Sequence, residues 1–426
     1  MGFAIHAALG VPGIQTLYGL LVTGCFALTM LMIHWQTRSA CWSLLGGGLF
    51  LWVDWQQLAI VRPQLAGLFW FVCLLAVLTA PRRGKFDRII VAAIFAVWAN
   101  CHGSFIIGIA TLFAFLAGRV FDIVWRARRF DAVLGDERLR SLLVLTALAT
   151  VASAINPYGI AIYGEVVSFS AKPNLSELVE WQPLSLRTYQ GQAALAVSVA
   201  LIPMWYLTPR RVKAVEILLI AGLGAGAVWA SRMIVWWAPV AAYLAAYHGH
   251  AIQTRRLGER ALRANWVQGR AWSFAAVAVC CSALAVTPIV VGSVLGNSGL
   301  SSQTPVGAVA HLEQTSITGR MFNKFEWGDY LIWSRPTSAQ VFVASHAHLI
   351  PESIWQDYLR IAEGRMSWKN ALDIYDIDSV MIHPTGQSYL ARKLRGSSDW
   401  SIDYEDEWSV IFVRSNKKPA ADVPGG

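Results

Sequence analysis

The chain has 426 residues, 55% of them hydrophobic and only 14% charged, with a formal net charge of +9 and a mean hydropathy of +0.46. That balance excludes an ordinary soluble enzyme and places the chain in the membrane class. It also argues against a nucleic-acid partner. Residues 1–299 carry 23 Lys and Arg against 11 Asp and Glu, and residues 300–426 carry 12 against 15. The excess therefore sits in the apolar part, where it reports loop orientation.

Apolar runs follow in order at residues 14–35, 40–53, 65–80, 89–101, 104–118, 142–155, 193–207, 215–230, 233–247 and 271–291. Many approach the ~20 residues a membrane helix needs. The first basic residue is Arg38, so no positive n-region precedes the first run, as a cleavable signal would require. Basic stretches recur near 38, 82–88, 119–140, 210–213 and 254–270, after every second run. The positive-inside rule makes those loops cytoplasmic. The loops at 54–63, 100–104, 156–190 and 231–232, both termini and everything after about 294 then lie outside.

The expected architecture is an α-helical polytopic membrane domain of about ten segments over residues 1–294. A soluble mixed α/β domain follows over 295–415, and 416–426 forms a disordered tail. In the second domain, 320–323, 340–344, 379–383, 401–404 and 410–414 read as strands. Residues 305–314, 354–362, 368–375 and 388–395 read as helices. All six cysteines lie in or beside apolar runs, so no disulfide framework is indicated.

The polar stretch Trp98-Ala99-Asn100-Cys101-His102-Gly103-Ser104-Phe105 interrupts two apolar runs. Polar groups at that depth face a bundle interior or a wet site. Asn100 and His102 are thus either one wall of an outer cleft or parts of a tight helix–helix turn. Arg232, at the outer turn between two runs, is either a bidentate phosphate grip or an interfacial arginine beside Trp236 and Trp237. Arg62-Pro63-Gln64 starts a helix at the same level. Glu180-Trp181 lies in the longest outer loop, with Glu180 either a base or a solvated acid. Asp54 ends a run beside Trp55. The candidate catalytic groups are Glu180, His102 and Asp54. The candidate substrate-binding groups are Arg232, Asn100, Arg62 and Trp181.

In the second domain Trp327, Tyr330 and Trp333 recur at helical spacing, a packing stripe or a binding platform. His346 and His348 make half a metal site, with no third ligand nearby, so no metal site is expected. Walker, dinucleotide, HExxH and GxSxG contexts are absent.

The order Arg62-Pro63-Gln64, then 98–105, then Glu180-Trp181, then Arg232 resembles bacterial polytopic membrane proteins related to the C-type (GT-C) glycosyltransferases. Gly319-Arg320-Met321-Phe322-Asn323, the run Glu326 to Trp333 and Trp368-Lys369-Asn370-Ala371-Leu372 look like that family's extracytoplasmic domain. The resemblance implies transfer of a sugar from a polyprenyl-phosphate donor at the outer face of the bacterial cytoplasmic membrane, to an acceptor it does not name. It leaves a divalent metal open as cofactor, because an acid in that family's first outer loop serves as base or metal ligand. The chain departs from the pattern. Met1 to Gly13 holds no acid, and Ala344 and His346 stand where relatives often carry Asp and Arg. The expectation is a relative lacking the first membrane helix and first outer loop, and inactive if that loss is real. The competing readings are a non-catalytic membrane protein whose outer domain binds a partner or glycan, and a transporter, for which matching broken-helix repeats are missing.

Overall fold

The computed structural model describes residues 2–81, 84, 86–258, 300–301, 303–315, 317–334 and 339–415. The chain divides into two compact units. The expected tenth run at 271–291, the 294/295 boundary and the tail at 416–426 lie outside the described residues.

The first unit is helical: α1 (Gly2–Thr37), α2 (Ala40–Leu58), α3 (Gln64–Thr79), α4 (Asp87–Cys101), α5 (Phe105–Ala127), α6 (Glu137–Ser153), α7 (Ile162–Ser170), α8 (Tyr189–Leu207), α9 (Ala214–Trp229) and α10 (Ile234–Leu257). Its starts are set by side chains. Ser39 Oγ, Asp136 Oδ1 and Thr188 Oγ1 accept from the backbone N–H of Trp42, Leu139 and Gly191, satisfying donors that a helix start leaves open. Inside α1, Gly10 leaves helical geometry at φ +65 just before Pro12.

Two helices among the described residues, His6–Thr37 and Phe105–Ala127, are long and apolar enough to cross a membrane. The others that coincide with apolar runs fall short on length or on polarity. For example, α3, α4 and α9 have 16, 15 and 16 residues, less than the ~20 a full span takes. A helical unit is what the structure shows, and the count of spans is a finer matter.

The core of this unit is aromatic where the polar stretch begins. Trp98, Phe71, Phe95, Phe105 and Trp236 are buried, and the Trp236 ring lies 5.5 Å from Phe71 and 6.4 Å from Trp98. Close approach of α3 to this layer requires Gly67. A Cβ there would lie 2.3 Å from Ser104 Oγ and 3.2 Å from Trp98 Nε1.

The second unit holds a five-stranded sheet in the order β2-β1-β3-β5-β4. The strands are β1 (Gly319–Asn323), β2 (Ala339–Val341), β3 (Ile377–Ile382), β4 (Trp400–Glu405) and β5 (Val410–Arg414). β1 is parallel to both β2 and β3, and β5 is antiparallel to β3 and β4. Helices α11 (Val306–Gln314), α12 (Gly328–Ser334), α13 (Glu352–Ala362), α14 (Trp368–Ile374) and α15 (Ser388–Arg395) accompany the sheet. Alternation along β1 divides them between faces. Met321 joins Ala308, Leu312 and Leu331, while the Phe322 ring stacks 5.3 Å from Tyr358 on α13. All five expected strands and all four expected helices are present, each displaced by at most a few residues.

Two features of this unit depart from the sequence reading. Residues 171–177, read as part of an outer loop, belong to it, because buried Asn174 donates from Nδ2 to the carbonyls of Ala347 and Ile350, both at 2.8 Å. The strand expected over 340–344 ends at Val341. Beyond it, Phe342 still donates to the Met321 carbonyl at 3.1 Å, and the fully buried Asn323 side chain extends the pairing to Val343. Its Oδ1 accepts from the N–H groups of Phe342 and Val343, and its Nδ2 donates to the Val343 carbonyl at 2.8 Å. Gly328 lets α12 approach that segment, where a Cβ would meet the Val343 carbonyl oxygen at 2.1 Å. Asn323→Ala is expected to cost about 2–3 kcal/mol locally, since it strands buried backbone groups. Amide exchange at Val343 should then quicken by about two orders of magnitude, while Phe342, which keeps the Met321 carbonyl, changes less; unchanged exchange at Val343 would contradict this role.

Candidate functional site

Four chain segments converge at one end of the helical unit. Pro63, with a φ already suited to a helix start, leads into α3, and its flanking Arg62 and Gln64 face the site. The turn between α9 and α10 supplies Ser231 and Arg232 from a short 3-10 segment, Ser231–Met233. A second such segment, Val179–Trp181, carries Glu180. This loop is pinned to the turn by its backbone. The Ser231 N–H donates to the Gln182 carbonyl at 2.8 Å and the Leu184 N–H to that of Ala227 at 3.3 Å, while Ser231 Oγ donates to the Glu180 carbonyl at 3.2 Å.

The result is a carboxylate shared by two guanidinium groups. Arg62 Nη1 donates to Glu180 Oε2, and Arg232 Nη1 lies 3.3 Å from Glu180 Oε1. Gln64 locks the second arginine from both sides. Its Oε1 accepts from Arg232 Nη2 at 3.3 Å, and its Nε2 donates to the Arg232 carbonyl at 3.1 Å. The Arg232 guanidinium also sits 4.8 Å from the centre of the Trp181 ring, whose other neighbour is Phe169 at 6.0 Å. Two cations and one carboxylate leave a formal charge of +1. The side chains of Arg62 and Glu180 remain about a third exposed, at 32% and 30%, against 18% for Arg232. An incoming anion can therefore reach this positive centre without unfolding anything.

His102 borders the same centre in the turn between α4 and α5. The Ser104 backbone N–H donates to its Nδ1 at 3.1 Å, so Nδ1 is an acceptor and the neutral ring carries its proton on Nε2. Ser104 Oγ lies 2.8 Å from the same nitrogen and accepts from Trp98 Nε1 at 3.1 Å. Gln64, which holds Arg232, and Gly67, which packs on Ser104, lie three residues apart on one face of α3. Burial, aided by the Arg232 charge, lowers the His102 pKa from 6.5 to about 4.

His102 is therefore neutral at pH 7. Because its folded pKa lies below the unfolded one, it lends stability above pH 6.5 that is lost as pH falls towards 4, up to about 3 kcal/mol. His102→Asn keeps an acceptor near the position of Nδ1 and is expected to flatten that part of the melting-temperature profile between pH 7 and 4. A profile identical to that of the parent would contradict the assignment.

Two candidates stand apart. Asn100 is exposed and donates from Nδ2 to the carbonyls of Ala96 and Ile155, at 2.7 and 2.6 Å. It ties the end of α4 to the end of α6 rather than lining the cluster. Asp54 is fully buried on α2, and neither carboxylate oxygen has a hydrogen-bond partner among the described residues. It forms no hydrogen bond or ion pair with Arg62 or Arg232 among the described residues. Gln64 and Ser104 were not singled out by sequence, although both lie in the motifs quoted above. A glutamine directly after a helix-starting proline, and a serine two residues after a turn histidine, are the signals that could have found them.

Among the described residues no three His, Cys, Asp or Glu side chains gather as a metal site would require. The rings of His346 and His348 lie 6.0 Å apart at the end of β2. No protein-family model and no curated protein matches the chain.

Proposed function

We propose that the chain is an integral membrane glycosyltransferase that takes a sugar from a polyprenyl-phosphate donor at the extracytoplasmic face, as its resemblance to the C-type glycosyltransferases implies. The observation that carries this reading is the shared carboxylate. Arg62 and Arg232 present guanidinium groups to one accessible point, with Trp181 beside Arg232. Planar forks of this kind match phosphate geometry.

Glu180 is the counter-ion of the two arginines. A donor phosphate takes its place between the arginines and frees the carboxylate. The acceptor hydroxyl oxygen then attacks the anomeric carbon, and the bond from that carbon to the phosphate oxygen breaks. The phosphate leaves with the electron pair, stabilised by the two guanidiniums, and Glu180 accepts the hydroxyl proton. Neutral His102, with Nε2–H, adds a donor without adding charge.

The membrane setting rests on the ten apolar runs of the sequence with a basic stretch after every second one, and on the outer surface of the helices. Val151, Ile202 and Val228 are 70%, 67% and 66% exposed. Such side chains spread over several helices fit a hydrocarbon solvent better than water. The C-terminal unit is placed outside the bacterial cytoplasmic membrane by the loop charges. The test of the reading is turnover. Full-length protein in lipid vesicles, given labelled polyprenyl-phosphate sugars, should release polyprenyl phosphate in a Glu180-dependent manner. Release no faster than from the Glu180→Gln variant, for every donor tried, would remove the activity.

A further inference from the structure

The helical unit encloses a cavity of about 140 Å³ at the other end of the same helices. Along α3 the arginine–glutamate cluster starts at Gln64 and this cavity reaches Thr79, about 22 Å further on at 1.5 Å per residue. Its floor is mainly hydrocarbon, with Leu75, Phe115, Leu142, Leu219 and Leu244; of the polar side chains beside them, Gln36 and Thr79 are already bonded to the carbonyls of Thr79 and Leu75, and Tyr243 is mostly ring. Its rim is cationic, with Arg119, Arg126, Arg138 and Lys213. Arg119 is held by Asp136. The acids on the lining are also engaged, Asp122 with Arg211 at 3.6 Å and Glu216 with His248 at 2.9 Å. Arg126, Arg138 and Lys213 are exposed and make no ion pair or side-chain hydrogen bond among the described residues.

We propose that this cavity is a second binding site, for an anionic amphiphile whose phosphate headgroup sits among Arg126, Arg138 and Lys213 while its hydrocarbon chain enters between the helices. The two halves of the lining demand the two halves of such a molecule. Cations without a salt bridge beside paired acids leave a local positive excess for a phosphate, and a floor that is mainly leucine and phenylalanine suits a hydrocarbon tail. Free phosphate shares the headgroup chemistry but leaves the floor empty. The site does not depend on the glycosyltransferase reading.

The experiment uses the full chain, delipidated in a neutral detergent, titrated with dodecyl phosphate and counted by native mass spectrometry. The combined variant Arg126→Gln, Arg138→Gln, Lys213→Gln changes only exposed side chains. It is expected to retain one dodecyl phosphate fewer than the parent. Neither inorganic phosphate nor dodecanol should be retained in its stead. Arg232→Lys should leave the rim-dependent molecule in place, so that loss at the arginine–glutamate cluster is read separately. Equal counts in parent and rim variant, or equal retention of inorganic phosphate or dodecanol, would overturn the site.

Discussion

Arg232→Lys is expected to weaken binding of a polyprenyl phosphate by about tenfold, corresponding to about 1.4 kcal/mol. The charge survives in the variant, but the geometry does not. Arg232 spends one nitrogen on Glu180 and another on Gln64, and its guanidinium carbon lies 4.8 Å from the centre of the Trp181 ring. A lysine offers one ammonium and no plane, so it cannot keep the glutamine, the ring and a ligand together. Adding Arg62→Ala removes the second cation, and the loss is expected to deepen to about a hundredfold, since charge-assisted hydrogen bonds contribute about 1.5–3 kcal/mol each. Isothermal titration with farnesyl phosphate checks both. An unchanged dissociation constant for Arg232→Lys would mean that the fork is structural only.

Glu180→Gln is expected to move binding and turnover in opposite directions. With the carboxylate neutralised, the arginines lose the anion that competes with the donor phosphate. Affinity for farnesyl phosphate should rise by about tenfold, about 1.4 kcal/mol. Turnover should fall by about 10²–10⁴, the usual contribution of a positioned base. The opposition matters because a merely structural glutamate would lower both. Glu180→Gln weakening the binding would show that the carboxylate positions the arginines and does not compete with the ligand.

Much of this was legible in the residues. The strands of the second unit follow from β-branched and aromatic runs, and the meeting of Arg62, Glu180, Trp181 and Arg232 follows from placing four polar signals at one membrane level. What could not be read depends on contacts distant in sequence. Nothing local marks 171–177 as part of the second unit, because the tie is the Asn174 amide reaching carbonyls more than 170 residues away. The early end of β2 is hidden for the same reason: past Val341 the Asn323 side chain holds the N–H groups of Phe342 and Val343. Asp54 looks like a helix-end acid, yet α2 runs on to Leu58 and encloses it. Asn100 reads as a cleft wall by depth alone, but the direction of its side chain is set by the end of α6. Helix length is the last limit. Apolar runs mark where helices form, but only α1 and α5 among the described residues have both the length and the composition of a full crossing.

The central claim is that the two arginines and their shared glutamate hold a phosphate borne on a lipid. Its most direct measurement is equilibrium binding of farnesyl phosphate to the purified full-length protein, beside the variant combining Arg62→Ala and Arg232→Ala. The account predicts saturable binding to the parent at least about a thousandfold tighter than to the double variant, from about 1.5–3 kcal/mol for each charge-assisted bond lost, with farnesol binding both alike. Parent and double variant binding farnesyl phosphate equally would contradict it.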